Sequence, residues 1–291
     1  MKKKMKKQAY VFIIILVLAC SFLVYLNSEY YFHLIRSRII ESAIEDTPGV
    51  ASKDTYPLLL FHGFNFVNSK RVSEFSMKSM QNELSKDIGY VDKGVYTDEL
   101  TCAELKYQKN PIIIRASYFD RIKPDDIDKY SEKIAEIIDR VRYCTGADKV
   151  DVITHSMGGV VVRNYIKNID QESIRKFIMI ATPNHGGLYN LGKFVDYLTE
   201  LGVSGVELDF MQLSEKTEFM KALNLGDETI GDIEYYTVAG NFDGIGDGIV
   251  RVESVTLNGS NQEIIVDCNH VLIKHPSFCP EAYVFVRDSL Y

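Results

Sequence analysis

The 291-residue sequence contains no His-Glu-x-x-His, no Cys-x-x-Cys and no phosphate-binding glycine loop. These gaps set aside the helix-borne zinc site, the paired-cysteine site and the P-loop nucleotide site, so no metal or cofactor is expected. No internal repeat occurs, and no low-complexity tract follows the N-terminal lysines. Beyond the extreme N-terminus acidic residues outnumber basic ones. Formal net charge is −7, and setting aside the +5 of Lys2, Lys3, Lys4, Lys6 and Lys7 leaves −12 on the rest. A body that acidic repels phosphate backbones, which argues against a nucleic-acid partner. Otherwise the balance, 46% hydrophobic and 25% charged, is that of an ordinary globular chain long enough for one large α/β domain.

The first long feature is AYVFIIILVLACSFLVYL, Ala9 to Leu26, 18 residues without a charge or a polar stripe. At ~1.5 Å per residue such a helix is about as long as a bilayer core is thick. Three readings compete. A signal anchor keeps the lysines (1–8) inside and translocates everything after the helix. A secretory signal would be cleaved, although Asn27-Ser28-Glu29 makes a poor exit. A lipoprotein signal would use Cys20, although the chain stays mostly apolar from Ser21 to Leu26. The first reading makes a single-pass cell-membrane protein, and all three put the body outside the cytoplasm. Residues 27–54 then form a stalk. Cys102, Cys144, Cys268 and Cys279 remain, an even number that permits two disulfides in an exported body. Cys268 with Cys279 is the favoured pair, since one C-terminal segment holds both; four free thiols is the alternative.

From residue 55 onward, short apolar runs alternate with helical patterns. Strands are expected at 56–61, 111–119, 149–154, 175–181 and 233–239, with a weaker one at 262–267. Helices are expected at 72–86, at 126–144 and at 157–168. In the second of these, Ile127, Tyr130, Ile134, Ile137, Ile138 and Val141 share one face. This alternation predicts a mostly parallel sheet with helices on both faces. Residues 90–110 read as a polar loop with a short helix. Residues 188–230 are too long for a plain crossover, and Leu191, Phe194, Val195, Leu198 and Leu201 form an apolar helical stripe there. That stripe is either core or a lid over an apolar cleft.

The chemistry concentrates where the run Val150–Thr154 meets the next helix, at Thr154-His155-Ser156-Met157-Gly158-Gly159. A serine hydroxyl is a weak nucleophile until a base takes its proton. A sharp strand-to-helix turn presents it clear of the backbone, needs small neighbours, and aims the helix N-terminus at a developing oxyanion. The stretch resembles the nucleophile elbow of the α/β-hydrolase family, in its bacterial lipase and esterase branch, with Thr154 in place of the first glycine. LLLFHGF (58–64), IATPNHGG (180–187), GNFDGIGDGIVRVES (240–254), VDCNHVLIKHP (266–276) and MQLSEKTEFMKALN (211–224) also resemble that family's segments, so the resemblance covers about residues 55–291.

The resemblance implies an α/β-hydrolase domain at 55–291 with a lid insertion at about 188–230. It implies Ser156 as nucleophile, His270 as base and Asp247 as the supporting acid, in the chain order this fold uses. Asp243 is the alternative acid and His275 the alternative base. The backbone amides of Phe64 and Met157 would form the oxyanion hole. His62 and His185 would be structural, and so would Asp151 and Arg163, the latter as an ion-pair partner. The implied activity is hydrolysis of lipid or other acyl esters without a cofactor; an acyltransferase or thioesterase with the same triad, or a non-catalytic binding module on the same fold, are the alternatives.

Overall fold

The computed structural model describes residues 55–64, 75–106, 110–119, 126–189 and 212–291. The expected anchor and stalk, and the lid stretch 190–211, lie outside the described residues. Among the described residues no helix is long and apolar enough to cross a membrane.

The continuous apolar runs form the middle of a parallel sheet. β1 (Leu58–Phe61) has four buried residues and lies between β3 (Ile112–Ala116) and β4 (Val150–His155). β5 (Ile174–Ile180), β6 (Glu234–Gly240) and β7 (Gln262–Val266) extend the sheet on one side, and β2 (Val91–Val95) closes the other, giving the order β2-β3-β1-β4-β5-β6-β7. Alternation along each strand splits the core into two layers. Leu59, Phe61, Val150 and Val152 face one layer; Leu58, Leu60 and Ile153 face the other.

Helices cover both layers because each carries an apolar stripe. α1 (Lys78–Ile88) buries Met80 and Leu84 and ends at Gly89, whose φ of 87° suits a residue without Cβ. After the short α2 (Cys102–Leu105), α3 (Ile127–Thr145) starts at Asp126, whose side chain accepts from Lys129 N–H, and buries the six apolar positions its spacing predicts. α4 (Met157–Asn168) is buried on nearly every side, which fits its place under α3. α5 (Glu218–Leu223) packs on α4, α6 (Val252–Val255) follows the loop after β6, and α7 (Pro280–Ser289) closes the second layer.

One strand departs from the expectation. Residues 90–110 hold the short helix α2 but also β2, whose sequence VDKGV is buried only at Val95 and carries Gly94 where the register with β3 shifts. An edge strand that is only partly buried loses the apolar run by which central strands are read. The cysteines form two disulfides. Cys102–Cys144 (Cα–Cα 4.5 Å) ties α2 to the end of α3, and Cys268–Cys279 (6.3 Å) spans the loop after β7.

Candidate active site

In an open parallel sheet, ligands bind beyond the carboxyl ends of the strands where the strand order reverses. Here the chain leaves β1 toward β3 and β2, then returns to β4 on the other side of β1. The ends of β1 and β4 therefore face one crevice, and the predicted residues collect there.

Ser156 is the single residue between β4 and α4. Its φ of 53° and ψ of −130° put a non-glycine residue in a disfavoured region, which costs on the order of 1–3 kcal/mol. Close contacts hold it so. A Cβ on Gly158 would run into the His62 carbonyl oxygen, and one on Gly63 would lie 2.7 Å from Ser156 Cβ. Thr154, in the position where the resembled elbow has glycine, is fully buried and stays in strand register opposite Phe61. Its hydroxyl has no partner. Met157 opens α4, so no residue of its own helix can accept from its N–H. Phe64 follows β1 and packs, half-buried, against the α3/α4 layer.

Two loops supply the other polar groups. After β6, Asp247 is buried, and its Oδ1 accepts from Ile249 N–H (2.9 Å) and Val250 N–H (2.7 Å). After β7, His270 Nδ1 donates to Asp247 Oδ2 (2.7 Å), because a carboxylate can only accept. The other ring nitrogen, Nε2, is then free to accept, and Ser156 Oγ lies 2.9 Å from it. His270 N–H also donates to Asp247 O (2.9 Å). Ser156, His270 and Asp247 thus form one hydrogen-bonded line, although they lie 114 and 23 residues apart.

The alternatives fall elsewhere. Asp243 sits in an exposed turn, where its Oδ1 accepts from Ile245 and Gly246 N–H (3.0 Å each) and its Oδ2 from Tyr189 OH (2.8 Å). Those backbone donors hold its carboxyl below the usual range. His275 Nδ1 meets Ser79 Oγ on α1 (2.8 Å).

Of the remaining histidines, His62 is buried, its Nδ1 donates to Gly63 O (2.5 Å), and its Nε2 meets Ser117 Oγ (3.0 Å). Its ring stacks on Tyr118, and burial pushes its pKa down to about 3. His185 pairs with Glu228 (2.8 Å).

A description of lecithin:cholesterol acyltransferase, as a family model, matches residues 84–223, a stretch that includes the elbow but neither Asp247 nor His270. Among solved structures, the mature lipase BlEst2 of Bacillus licheniformis superposes with a TM-score of 0.57 at 15% identity, over 83% of this chain and 96% of that one. The lin2722 gene product of Listeria innocua gives 0.52 at 19% identity, over 80% and 94%. The chain has the α/β-hydrolase fold. Phospholipase PlaB of Legionella pneumophila, in complex with thio-NAD, gives 0.52 at 15% identity, over 81% of this chain and 58% of that one. No curated protein gives a significant match.

Two further residues near the crevice carry no sequence signal. His155, the last residue of β4, donates from Nε2 to the His270 carbonyl (2.8 Å). Burial holds its pKa well below the ordinary value, and the ammonium of Lys274 adds to this. Lys274 itself is 8% exposed, has no hydrogen bond or ion pair among the described residues, and burial alone lowers its pKa to about 8. A third buried ionisable residue, Arg163 on α4, differs from its expected ion pairing. It donates to Asn184 O and Asn224 Oδ1 (2.9 Å each), neutral oxygens brought to it by the loop after β5 and the end of α5.

Proposed function

We propose that this chain is a serine carboxylic ester hydrolase acting on lipid or other acyl esters through an acyl-enzyme. The observation that carries the reading is the unbroken line Ser156 Oγ–His270 Nε2, His270 Nδ1–Asp247 Oδ2 at 2.9 and 2.7 Å. In the reaction, the Ser156 hydroxyl proton passes to His270 as Oγ bonds to the substrate carbonyl carbon. Asp247 supports the imidazolium. The amides of Phe64 and Met157 hold the oxyanion, each contributing ~3 kcal/mol as such donors do elsewhere. His270 returns the proton to the leaving alcohol, and water then cleaves the acyl-enzyme. A lipid substrate is supported by the words lipase and phospholipase in the names of two fold neighbours and by the uncharged run 9–26. On this reading residues 9–26 anchor the chain in the cell membrane with the body outside the cytoplasm, and 188–230 carry a lid.

One observation favours a second reading. The matching family model describes an acyltransferase, in which an alcohol rather than water would receive the acyl group. Product analysis with added acceptor alcohols separates the two. The primary test is Ser156→Ala. It is expected to abolish hydrolysis of p-nitrophenyl butyrate and labelling by a fluorophosphonate, with an unchanged circular dichroism spectrum. Retained turnover would overturn the nucleophile assignment. A chain-length series of esters, with and without micelles, then defines the acyl group.

A further inference from the structure

We infer that His155 is a positioning residue that sets the distance between the base and the nucleophile by clamping the backbone of His270. The inference rests on the proposed roles of Ser156 and His270. Three contacts carry it. His155 Nε2 lies 2.8 Å from His270 O, and because a carbonyl only accepts, the proton is on Nε2. The rings of His155 and His270 pack with centroids 4.9 Å apart, tilted by 47°. The other face of His155 is closed by Gly63, where a Cβ would come within 3.0 Å of His155 Nδ1. One imidazole therefore fills the space between the loop after β1, the elbow and the loop that carries His270.

The consequence is a grip on His270 at both ends of its backbone. Its N–H donates to Asp247 O and its C=O accepts from His155. The clamp residue precedes Ser156 in the chain, so one covalent link and one hydrogen bond connect nucleophile to base. A small shift of the base is enough to matter, since ~1 Å of misplacement can cost about 10²-fold in rate. The clamp works because the ring is neutral. The titratable groups that face it are Lys274, His270 and His275, and no carboxylate is among them. A cation at this place would oppose the positive charge that His270 takes up in the reaction.

The test compares the full chain with His155→Met, which keeps bulk but has no donor, and His155→Gln, which keeps a donor on a side chain of similar length. Turnover is expressed per folded molecule. The expected result is a ~10–100-fold loss of kcat for His155→Met, with KM within about threefold, and recovery of at least about half of that loss, on a logarithmic scale, by His155→Gln. The rate of fluorophosphonate labelling at Ser156 should fall in step with kcat. A kcat for His155→Met within twofold of the parent, or no recovery by His155→Gln, overturns the inference. Should His155→Met not fold, ring-nitrogen NMR of the parent protein decides. A ring that stays in the Nε2–H form from pH 5 to 9 supports the clamp, and a ring that titrates in that range overturns it. A parent chain that neither hydrolyses esters nor labels at Ser156 refutes the proposed function instead, whereas an active parent with an equally active His155→Met refutes the clamp alone.

Discussion

The two ends of the sheet handle buried polar groups in opposite ways. At the end where the strands begin, charges are matched. Asp151 at the start of β4 accepts two hydrogen bonds from Arg175, at 2.9 and 2.5 Å, and the guanidinium lies over the Tyr56 ring. Lys176 beside it donates to Ser289 O (2.8 Å) at the end of α7. At the end where the strands finish, polar groups are left short. Ser156 and Ala181 have φ of 53° and 52°. Among the described residues the buried hydroxyls of Thr154 and Thr182 have no partners and Lys274 has no counter-charge. Local rules are kept at the end where charges are paired and broken at the end where Ser156, His270 and Asp247 converge.

Substitutions at the two ends should therefore separate activity from stability. The largest effect is expected for His270→Ala, which should lower kcat for a short p-nitrophenyl ester by at least ~10³-fold with little change in Tm. Asp151→Ala, at the opposite end, should do the reverse. Removing one partner of a buried pair costs about 3 kcal/mol, measured by urea unfolding, while kcat per folded molecule stays within about twofold. A large loss of kcat there would break the contrast.

Lys274→Met should stabilise the protein. The folded-state pKa of Lys274, about 8, lies below its ordinary value, so the folded state disfavours the charged form. That penalty is present in full below pH 8 and fades as pH rises toward the unfolded-state value near 10.5. The gain from Lys274→Met should thus be on the order of 1–3 kcal/mol at pH 7 and shrink toward zero above pH 10. A gain independent of pH would mean that repacking, not charge, is responsible. The smallest effect is expected for Thr154→Val, which removes a buried hydroxyl that has no partner. It should leave Tm unchanged or raise stability by up to ~1 kcal/mol.

Much of this arrangement was legible in the sequence, for identifiable reasons. Buried parallel strands must be apolar along their whole length, so β1, β3, β4, β5 and β6 announce themselves. The six-residue face of α3 follows from helical spacing alone. β2 was not legible because VDKGV at a sheet edge has neither pattern. In the crevice, the elbow could be read because strand, serine and helix are consecutive. Asp247 and His270 were reached through the family resemblance and its chain order, not through any local pattern. His155 and Lys274 could not be found that way. The worth of His155 depends on a carbonyl 115 positions away, and a lysine between Ile273 and His275 reads as a solvated charge until the loop is folded over it.

The bond between Cys268 and Cys279 brackets the ten residues that carry His270, whereas Ser156 lies outside that loop. A reductant added to the medium would lengthen the leash on the imidazole while leaving the hydroxyl in place.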